Sequence, residues 1–166
     1  ADKGAVVSDL ASGIGRSVLF TRTKHGAKKL AKQLTSQGIP AVDLHGNLSQ
    51  NARERNLMAF SDGSVQVLVA TDIAARGIHV DDVTLVVHVD PPAEHKAYLH
   101  RSGRTARAGA EGSVVTIATL EQAGEVRTLA KQAGISPTIT AITPGAKEIA
   151  TLRGERAAHV TPAPVA

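Results

Sequence analysis

The chain has 166 residues, a formal net charge of +4 at pH 7, no cysteine, two phenylalanines, one tyrosine and no tryptophan. This length suffices for one domain with its own core, and the lack of cysteine excludes disulfides and thiolate metal sites. Because so few aromatic rings cannot build a base-stacking platform, any nucleic acid would be held through its phosphates and sugars, with little sequence readout.

The first half of the chain predicts strands and helices in alternation. Residues 17–21 (SVLFT) and 41–44 are short apolar runs, which predict buried strands. A helix is expected over residues 24–37, because apolar residues recur there at helical spacing and Gly38 follows. A second helix is expected from an N-cap at Ser49 to about residue 60, before a turn at Asp62 and Gly63.

The second half continues the pattern. It predicts strands at residues 65–70, 85–89 and 114–118, a short sixth strand at 138–142, and helices at 93–101 and 122–132. This alternation indicates parallel β-α-β units and an α/β fold. In such sheets, ligands bind at the carboxyl ends of the strands. We therefore expect a site in the loops that begin near Arg22, His45, Thr71 and Asp90.

The ends of the chain predict its organisation. We expect residues 1–14 to be a lead or linker, residues 15–143 to form the domain, and residues 144–166 to be a flexible tail with a short helix. The start at Ala1 favours a cut inside a longer protein. No apolar run approaches the roughly 18 residues that span a membrane. No signal peptide is visible, and cysteine is absent, so we expect a cytoplasmic location. The seven scattered histidines predict no metal site.

Residues 100–109 (HRSGRTARAG) are the most informative segment, since three arginines fall within seven residues with glycines beside them. Guanidinium forks suit phosphate oxygens, and glycine lets the backbone approach a ligand. The pattern favours stabilisation of charge on a transferring phosphoryl group, with a solvated basic turn as the alternative. The chain has no Gly-Lys dipeptide and so no P-loop. The phosphate cradle would therefore belong to another domain.

Four segments together resemble the C-terminal RecA-like domain of a DEAD-box ATP-dependent RNA helicase. In chain order they are similar to motifs IV, IVa, V and VI, and they read Val18-Leu19-Phe20-Thr21-Arg22-Thr23-Lys24, His45-Gly46 followed by Gln50-x-x-Arg53, Val69-Ala70-Thr71-Asp72-Ile73-Ala74-Ala75-Arg76-Gly77-Ile78, and His100 to Gly109. The resemblance covers roughly residues 15–140. It implies a RecA-like three-layer α/β/α fold with a mostly parallel sheet, preceded by a second RecA-like domain that this chain lacks.

The resemblance also implies roles for individual residues. The catalytic arginine fingers, which reach the γ-phosphate, would be Arg104 and Arg107. The residues that contact ATP would be these two together with Gly77 and His79. The residues that contact the RNA backbone would be Thr23, Lys24, Gly46, Arg53 and Thr71. The residues that face the partner domain would be Arg76 and His100.

The implied protein is an RNA helicase and ATPase in which this domain, inactive alone, closes over ATP and unwinds RNA locally. ATP with Mg²⁺ would be held mainly by the N-terminal RecA-like domain. RNA and that domain would be the partners, with no membrane involved. Two positions depart from the family pattern. His79 stands where Asp usually accepts a ribose hydrogen bond, which a neutral imidazole can also do. Ala106 stands where glycine is common.

Alternatives stay open both for the roles of single residues and for the function of the whole chain. Thr23 could act as a helix cap, Arg53 as a solvated helix residue, Thr71 as a turn former and His100 as a satisfied helix histidine. A run of lysines on the first predicted helix is by default a solvated face, with RNA steering second; its members are Lys24, Lys28, Lys29 and Lys32. For the whole chain, the alternatives are a non-catalytic RNA- or protein-binding module and a DNA-acting superfamily 2 helicase domain.

Overall fold

A computed structural model describes residues 2–13, 15–44, 49–71, 83–90, 113–117, 122–132, 147 and 149. Strands and helices alternate through them. The strands are β1 (Arg16–Phe20), β2 (Ala41–Leu44), β3 (Val67–Ala70), β4 (Val83–His88) and β5 (Ser113–Thr116). The helices are α1 (Asp2–Ala11), α2 (Lys24–Ser36), α3 (Gln50–Ser61) and α4 (Ala123–Gln132).

The five strands form one sheet in the order β2-β3-β1-β4-β5, and every neighbouring pair is parallel. β1 lies at the centre, with Val18 opposite Leu68 of β3 on one side and Val86 of β4 on the other. Such strands are continuous apolar runs because helices cover both faces of a parallel sheet. Since the strands run in one direction, all their carboxyl ends meet at one edge, which we call the carboxyl edge.

Two apolar clusters cover the two faces of the sheet. On one face, α1 and α2 pack on alternate strand residues such as Leu19, Val69 and Val87. On the other face, Phe60 of α3 packs beside Phe20 and their neighbours. The layers are therefore helix, sheet and helix, and the predicted three-layer α/β fold is confirmed.

The boundaries of α2 have local causes. Its buried face contains Ala27, Ala31 and Leu34, as the apolar spacing predicted. Gly38 follows the helix with a φ of 85°, a conformation that side chains other than glycine rarely adopt. Its N–H donates to the carbonyl of Thr35 at 3.1 Å, and the next N–H, that of Ile39, donates to the carbonyl of Leu34 at 2.9 Å. These two bonds form a Schellman motif, which fixes the turn into β2.

Other predicted elements agree with the structure within two residues. The third predicted strand begins at Val67 rather than residue 65, and the fourth begins at Val83 rather than residue 85. The predicted turn after α3 is present, with Gly63 at a φ of 85°. The predicted helix at residues 93–101 and the predicted strand at 138–142 lie outside the described residues.

The N-terminal segment, which was expected to be a lead or linker, contains a helix that the sequence did not predict. Residues 2–11 form α1, and Val6, Val7, Leu10 and Ala11 are buried in the core beneath it. Ile149 is buried in the same cluster, although it lies in the segment predicted to be a tail. Packing on the sheet is therefore what orders α1. The domain boundaries at residues 14/15 and 143/144 stay a prediction.

Candidate functional site

The candidate site lies along the carboxyl edge of the sheet. β1 ends at Phe20 in the centre of this edge, and the loop to α2 follows it directly. Thr71 follows β3, which is beside β1, and Asp90 follows β4 on the other side. Helices that follow a strand begin at the same edge, so the first turns of α2 and α3 are also here. This arrangement brings the predicted residues Thr23, Lys24 and Thr71 to the same edge.

Thr23 is the N-cap of α2. Its backbone is extended, at φ −122° and ψ 150°, and its hydroxyl oxygen accepts the N–H of Gly26 at 3.0 Å. Its carbonyl accepts the N–H of Ala27 at 3.0 Å. The capping role, which the sequence left as an alternative, is therefore present. The side chain is exposed, and a capping hydroxyl still has a proton to donate, so capping leaves room for contact with a phosphate oxygen.

Gly26 is closely fitted to this cap. A Cβ atom at position 26 would lie 3.0 Å from the hydroxyl oxygen of Thr23 and 3.8 Å from Cβ of Thr21. The hydroxyl of Thr21 in turn donates to the carbonyl of Thr23 at 3.1 Å. The loop between β1 and α2 is thus held by its own side chains. Glycine at position 26 leaves the capping oxygen undisturbed.

Two carboxylates hold the same loop from neighbouring elements. Oδ2 of Asp90, just beyond β4, accepts the backbone N–H of Arg22 at 3.1 Å. The guanidinium of Arg22 reaches Oε1 of Glu125 on α4 at 3.4 Å, and both side chains are about half exposed. Sequence analysis named Asp90 only as the start of a loop. The sequence offered one sign of a structural role for Asp90, namely an acidic residue directly after a buried strand and before two prolines.

Thr71 is half-buried, and its backbone joins the end of β3 to the end of β2. Its N–H donates to the carbonyl of Leu44 at 3.3 Å. On the other side of the strand, the N–H of Thr21 donates to the carbonyl of Ala70 at 3.0 Å. These two bonds fix the end of β3 in register with the ends of β2 and β1. The hydroxyl of Thr71 is therefore carried by a backbone anchored on two strands.

Arg53 lies in the first turn of α3. The N-cap Ser49 accepts the N–H of Ala52 on its hydroxyl at 3.1 Å and the N–H of Arg53 on its carbonyl at 2.9 Å. The side chain of Arg53 is half-buried. Deeper in the fold, Asn56 on the same helix donates to the carbonyl of Asp43 of β2 at 2.8 Å. α3 is therefore attached to β2 near the edge where Arg53 lies.

One buried polar side chain below the edge was missed by sequence analysis. His88, the last residue of β4, is fully buried, and its ring stacks on Phe20 with centroids 6.4 Å apart and planes at 27°. Its carbonyl accepts the N–H of Ile117 beyond β5 at 3.0 Å. His88 therefore belongs to the core that supports the edge. A histidine inside the apolar run 85–89 gave no sign of that stacking.

The remaining predicted site residues lie outside the described residues. They are Gly46, Arg76, Gly77, His79, His100, Arg104 and Arg107. Among the described residues, no group of three or more histidine and acidic side chains is placed to hold a metal ion. The helices of the described part are all too short or too polar to cross a membrane.

A family model and individual relatives assign the chain to the same protein family. The model of the helicase conserved C-terminal domain matches residues 2–109. The chain is 44% identical over 131 residues to DEAD-box ATP-dependent RNA helicase 53 of Oryza sativa subsp. japonica, covering 79% of this chain and 21% of that protein. It is 40% identical over 164 residues to the chloroplastic DEAD-box ATP-dependent RNA helicase 3B of Zea mays, covering 92% of this chain and 22% of that protein. The chain thus spans about a fifth of the length of these relatives.

Solved structures show the same likeness in the fold. The chain is similar to S. cerevisiae Dbp5 bound to RNA and ADP BeF3, with a TM-score of 0.79 and 29% identity over 92% of this chain and 42% of that one. It is also similar to the E. coli DEAD-box protein SrmB bound to RraA, with a TM-score of 0.75 and 34% identity over 89% of this chain and 86% of that one. The three layers described above are therefore those of a RecA-like domain.

Proposed function

Because this chain belongs to the helicase conserved C-terminal domain family and is the C-terminal RecA-like domain of the DEAD-box type, we propose that it forms the second half of an ATP-dependent RNA helicase. In that role it binds one side of an RNA strand and one side of ATP. The first RecA-like domain of the same protein supplies the other sides. Local loss of RNA base pairs follows when the two halves close.

The observation that supports RNA binding most directly is the grouping of hydroxyl and cationic side chains at the carboxyl edge. Thr23 and Lys24 follow β1, and Thr71 follows the adjacent β3. Hydroxyl, lysine and backbone N–H groups are the usual donors to phosphate oxygens. The described residues at this edge include no exposed phenylalanine, tyrosine or tryptophan for stacking on a base. We therefore propose contact with the RNA backbone through Thr23, Lys24, Gly46, Arg53 and Thr71, with little sequence preference.

ATP would be shared between the two RecA-like domains. Arg104 and Arg107 would stabilise charge on the γ-phosphate, while Gly77 and His79 contact the nucleotide from this side. Arg76 and His100 would face the first domain when the two close. An arginine finger contributes roughly 10³ to 10⁵ in rate. The family resemblance implies that the phosphate loop lies in the first domain, so we assign Mg²⁺ to that domain together with most contacts to ATP.

The test of this assignment is RNA-stimulated ATP hydrolysis by the full-length protein with Arg104→Ala or Arg107→Ala. We expect the turnover number to fall by about 10³ or more, because the loss acts on the transition state. Arg127→Ala, on the exposed surface of α4, is the matched control for loss of one arginine. Turnover near that of the control would refute the finger assignment.

The same proposal predicts that this domain alone is inactive. Titration of the isolated chain with ATP and Mg²⁺ should give little heat and no hydrolysis, because the chain contains no P-loop. Tight, metal-dependent binding of ATP to the isolated chain would contradict the proposal that the ATP site is shared between two domains. Stimulation of the full-length ATPase by DNA as strongly as by RNA would instead favour a DNA-acting enzyme.

A further inference from the structure

The outer surface of α2 has a concentration of positive charge. Its thirteen residues, KHGAKKLAKQLTS, contain four lysines and no acidic residue. We call the four, Lys24, Lys28, Lys29 and Lys32, the basic ridge. All four are exposed, whereas Ala27, Ala31 and Leu34 of the same helix are buried against the sheet. The lysines therefore face solvent because the apolar stripe fixes the rotation of the helix.

The outer lysines are not used to stabilise the fold. Within the part of the chain that the structure describes, Lys28, Lys29 and Lys32 make no ion pair or side-chain hydrogen bond. Two carboxylates that hold the loop before α2 contact Arg22: Glu125 pairs with its guanidinium, and Asp90 accepts its backbone N–H. A helix usually interleaves acidic residues with lysines at i,i+4 spacing, which stabilises it. Here the lysines repel one another, so their clustering needs another explanation.

The basic ridge begins at the candidate RNA site. Lys24 is the first residue of α2, next to the N-cap Thr23 at the carboxyl edge. Lys28 and Lys32 follow at four-residue spacing on the same side of the helix. At 1.5 Å per residue, the ridge extends about 12 Å away from the edge. A strand whose phosphates contact Thr23 and Lys24 would therefore meet further positive charge where it leaves the edge along α2.

We propose that the basic ridge binds the backbone of single-stranded RNA that continues beyond the carboxyl edge, which extends the RNA-binding surface along α2. This inference rests on the proposed function and deepens it. Lysine binds phosphate as a point charge, and α2 has no phenylalanine, tyrosine or tryptophan for base stacking. The contact is therefore independent of base sequence. It lengthens the RNA footprint and speeds association without changing which bases are preferred.

The expected magnitude follows from counterion release. Each phosphate neutralised on a single strand contributes about −0.7 to the slope of log K against log salt. The double variant Lys28→Gln, Lys32→Gln should therefore reduce the magnitude of that slope by about 1.4. If counterion release accounted for all of the affinity that the two lysines contribute, the variant's affinity at 0.1 M salt would fall by at most about 25-fold. The loss would be larger at lower salt.

The experiment measures binding of the full-length protein, with ATP present, to fluorescent single-stranded RNA at several salt concentrations. Single-strand sites typically span roughly 4 to 16 nucleotides, so probes of about 4 and about 20 nucleotides bracket that range. We expect the lysine variant to lose more affinity for the long probe than for the short one. The matched control is Arg127→Gln, Lys131→Gln on α4, which removes two exposed charges at the same spacing.

The outcomes separate this inference from the proposed function. A smaller salt slope for the lysine variant, with a control that matches wild type, supports the ridge. Equal slopes in the lysine variant, the control and the wild type would overturn the ridge while leaving the helicase proposal intact. Equal loss in both variants would also overturn it, because that result indicates an effect of net charge alone. Absence of RNA binding by the wild-type protein would remove the proposed function itself.

Discussion

The cap of α2 allows a quantitative test through the pair Thr23 and Gly26. Thr23→Ala removes the acceptor for the N–H of Gly26, a bond of 3.0 Å. Loss of an N-cap side chain costs about 1 kcal/mol of stability. Gly26→Ala by itself should gain up to about 1 kcal/mol of helix propensity. That gain is offset, because the new Cβ would lie 3.0 Å from the capping oxygen and would force it away.

The two substitutions should therefore couple. In the Thr23→Ala background the capping oxygen is absent, and the remaining neighbours of the new Cβ lie at 3.8 Å and 3.9 Å, which is ordinary contact. Gly26→Ala should then give its full gain, so the double variant should have nearly the stability of wild type. Simple addition would leave it about 1 kcal/mol less stable. The coupling expected is thus about 1 kcal/mol, above the roughly 0.3–0.5 kcal/mol within which independent sites add.

Urea denaturation followed by circular dichroism measures this cycle. With a slope of about 2 kcal/mol per molar urea, 1 kcal/mol shifts the midpoint by about 0.5 M. Thr23→Ser keeps the hydroxyl and is the control, with a midpoint near wild type. If the double variant were less stable than wild type by the sum of the single effects, the capping geometry inferred for this loop would be wrong.

Three further predictions concern other parts of the fold. Phe60→Ala should cost about 3–5 kcal/mol, since the ring is fully buried, whereas Met58→Ala, at 68% exposed, should change urea stability by less than about 0.5 kcal/mol. Asp90→Ala should cost roughly 1.5–3 kcal/mol by the same assay, because it removes the charged acceptor of a loop N–H; an unchanged midpoint would contradict that bond. The hydroxyl and N–H of Ser64 lower the pKa of Asp62 below 3.8, so their stabilisation is present above that pH and is lost as pH falls through the folded pKa. Carbon NMR titration should show the pKa of Asp62 rising in Ser64→Ala, and an unshifted titration would refute the hydroxyl contribution.

Local pattern was enough to predict most of the described elements. The stripe of small apolar residues on α2 and its terminal glycine are signals contained within one segment, as is the N-cap Ser49 of α3. α1 was missed because its sequence, DKGAVVSDLA, combines a glycine with two adjacent valines, which have low helix propensity. Packing on the sheet outweighs that propensity, and packing cannot be seen in a ten-residue window.

Sequence alone could predict the position of two site residues in the fold, while their functional roles stay a prediction. Thr23 and Thr71 follow strands, and parallel topology brings strand ends together. The hydrogen bond from the N–H of Arg22 to Asp90 joins residues 68 positions apart. A contact between residues so far apart in the chain cannot be predicted from a local sequence pattern. The same limit applies to the ring of His88 on Phe20, which also depends on the register of two strands.

The alternation of side chains across the sheet restricts how the strand ends can move relative to one another. If β1 slid by one residue, Phe20 would enter the layer beneath α1 and α2, and Leu19 would be placed against Phe60. Only a slip of two residues, about 6.6 Å, would return apolar groups to their own sides. Small sliding steps are therefore forbidden. We therefore expect any conformational change at the carboxyl edge to occur by bending of a loop or rotation of a helix. The spacing of the strand ends should stay constant.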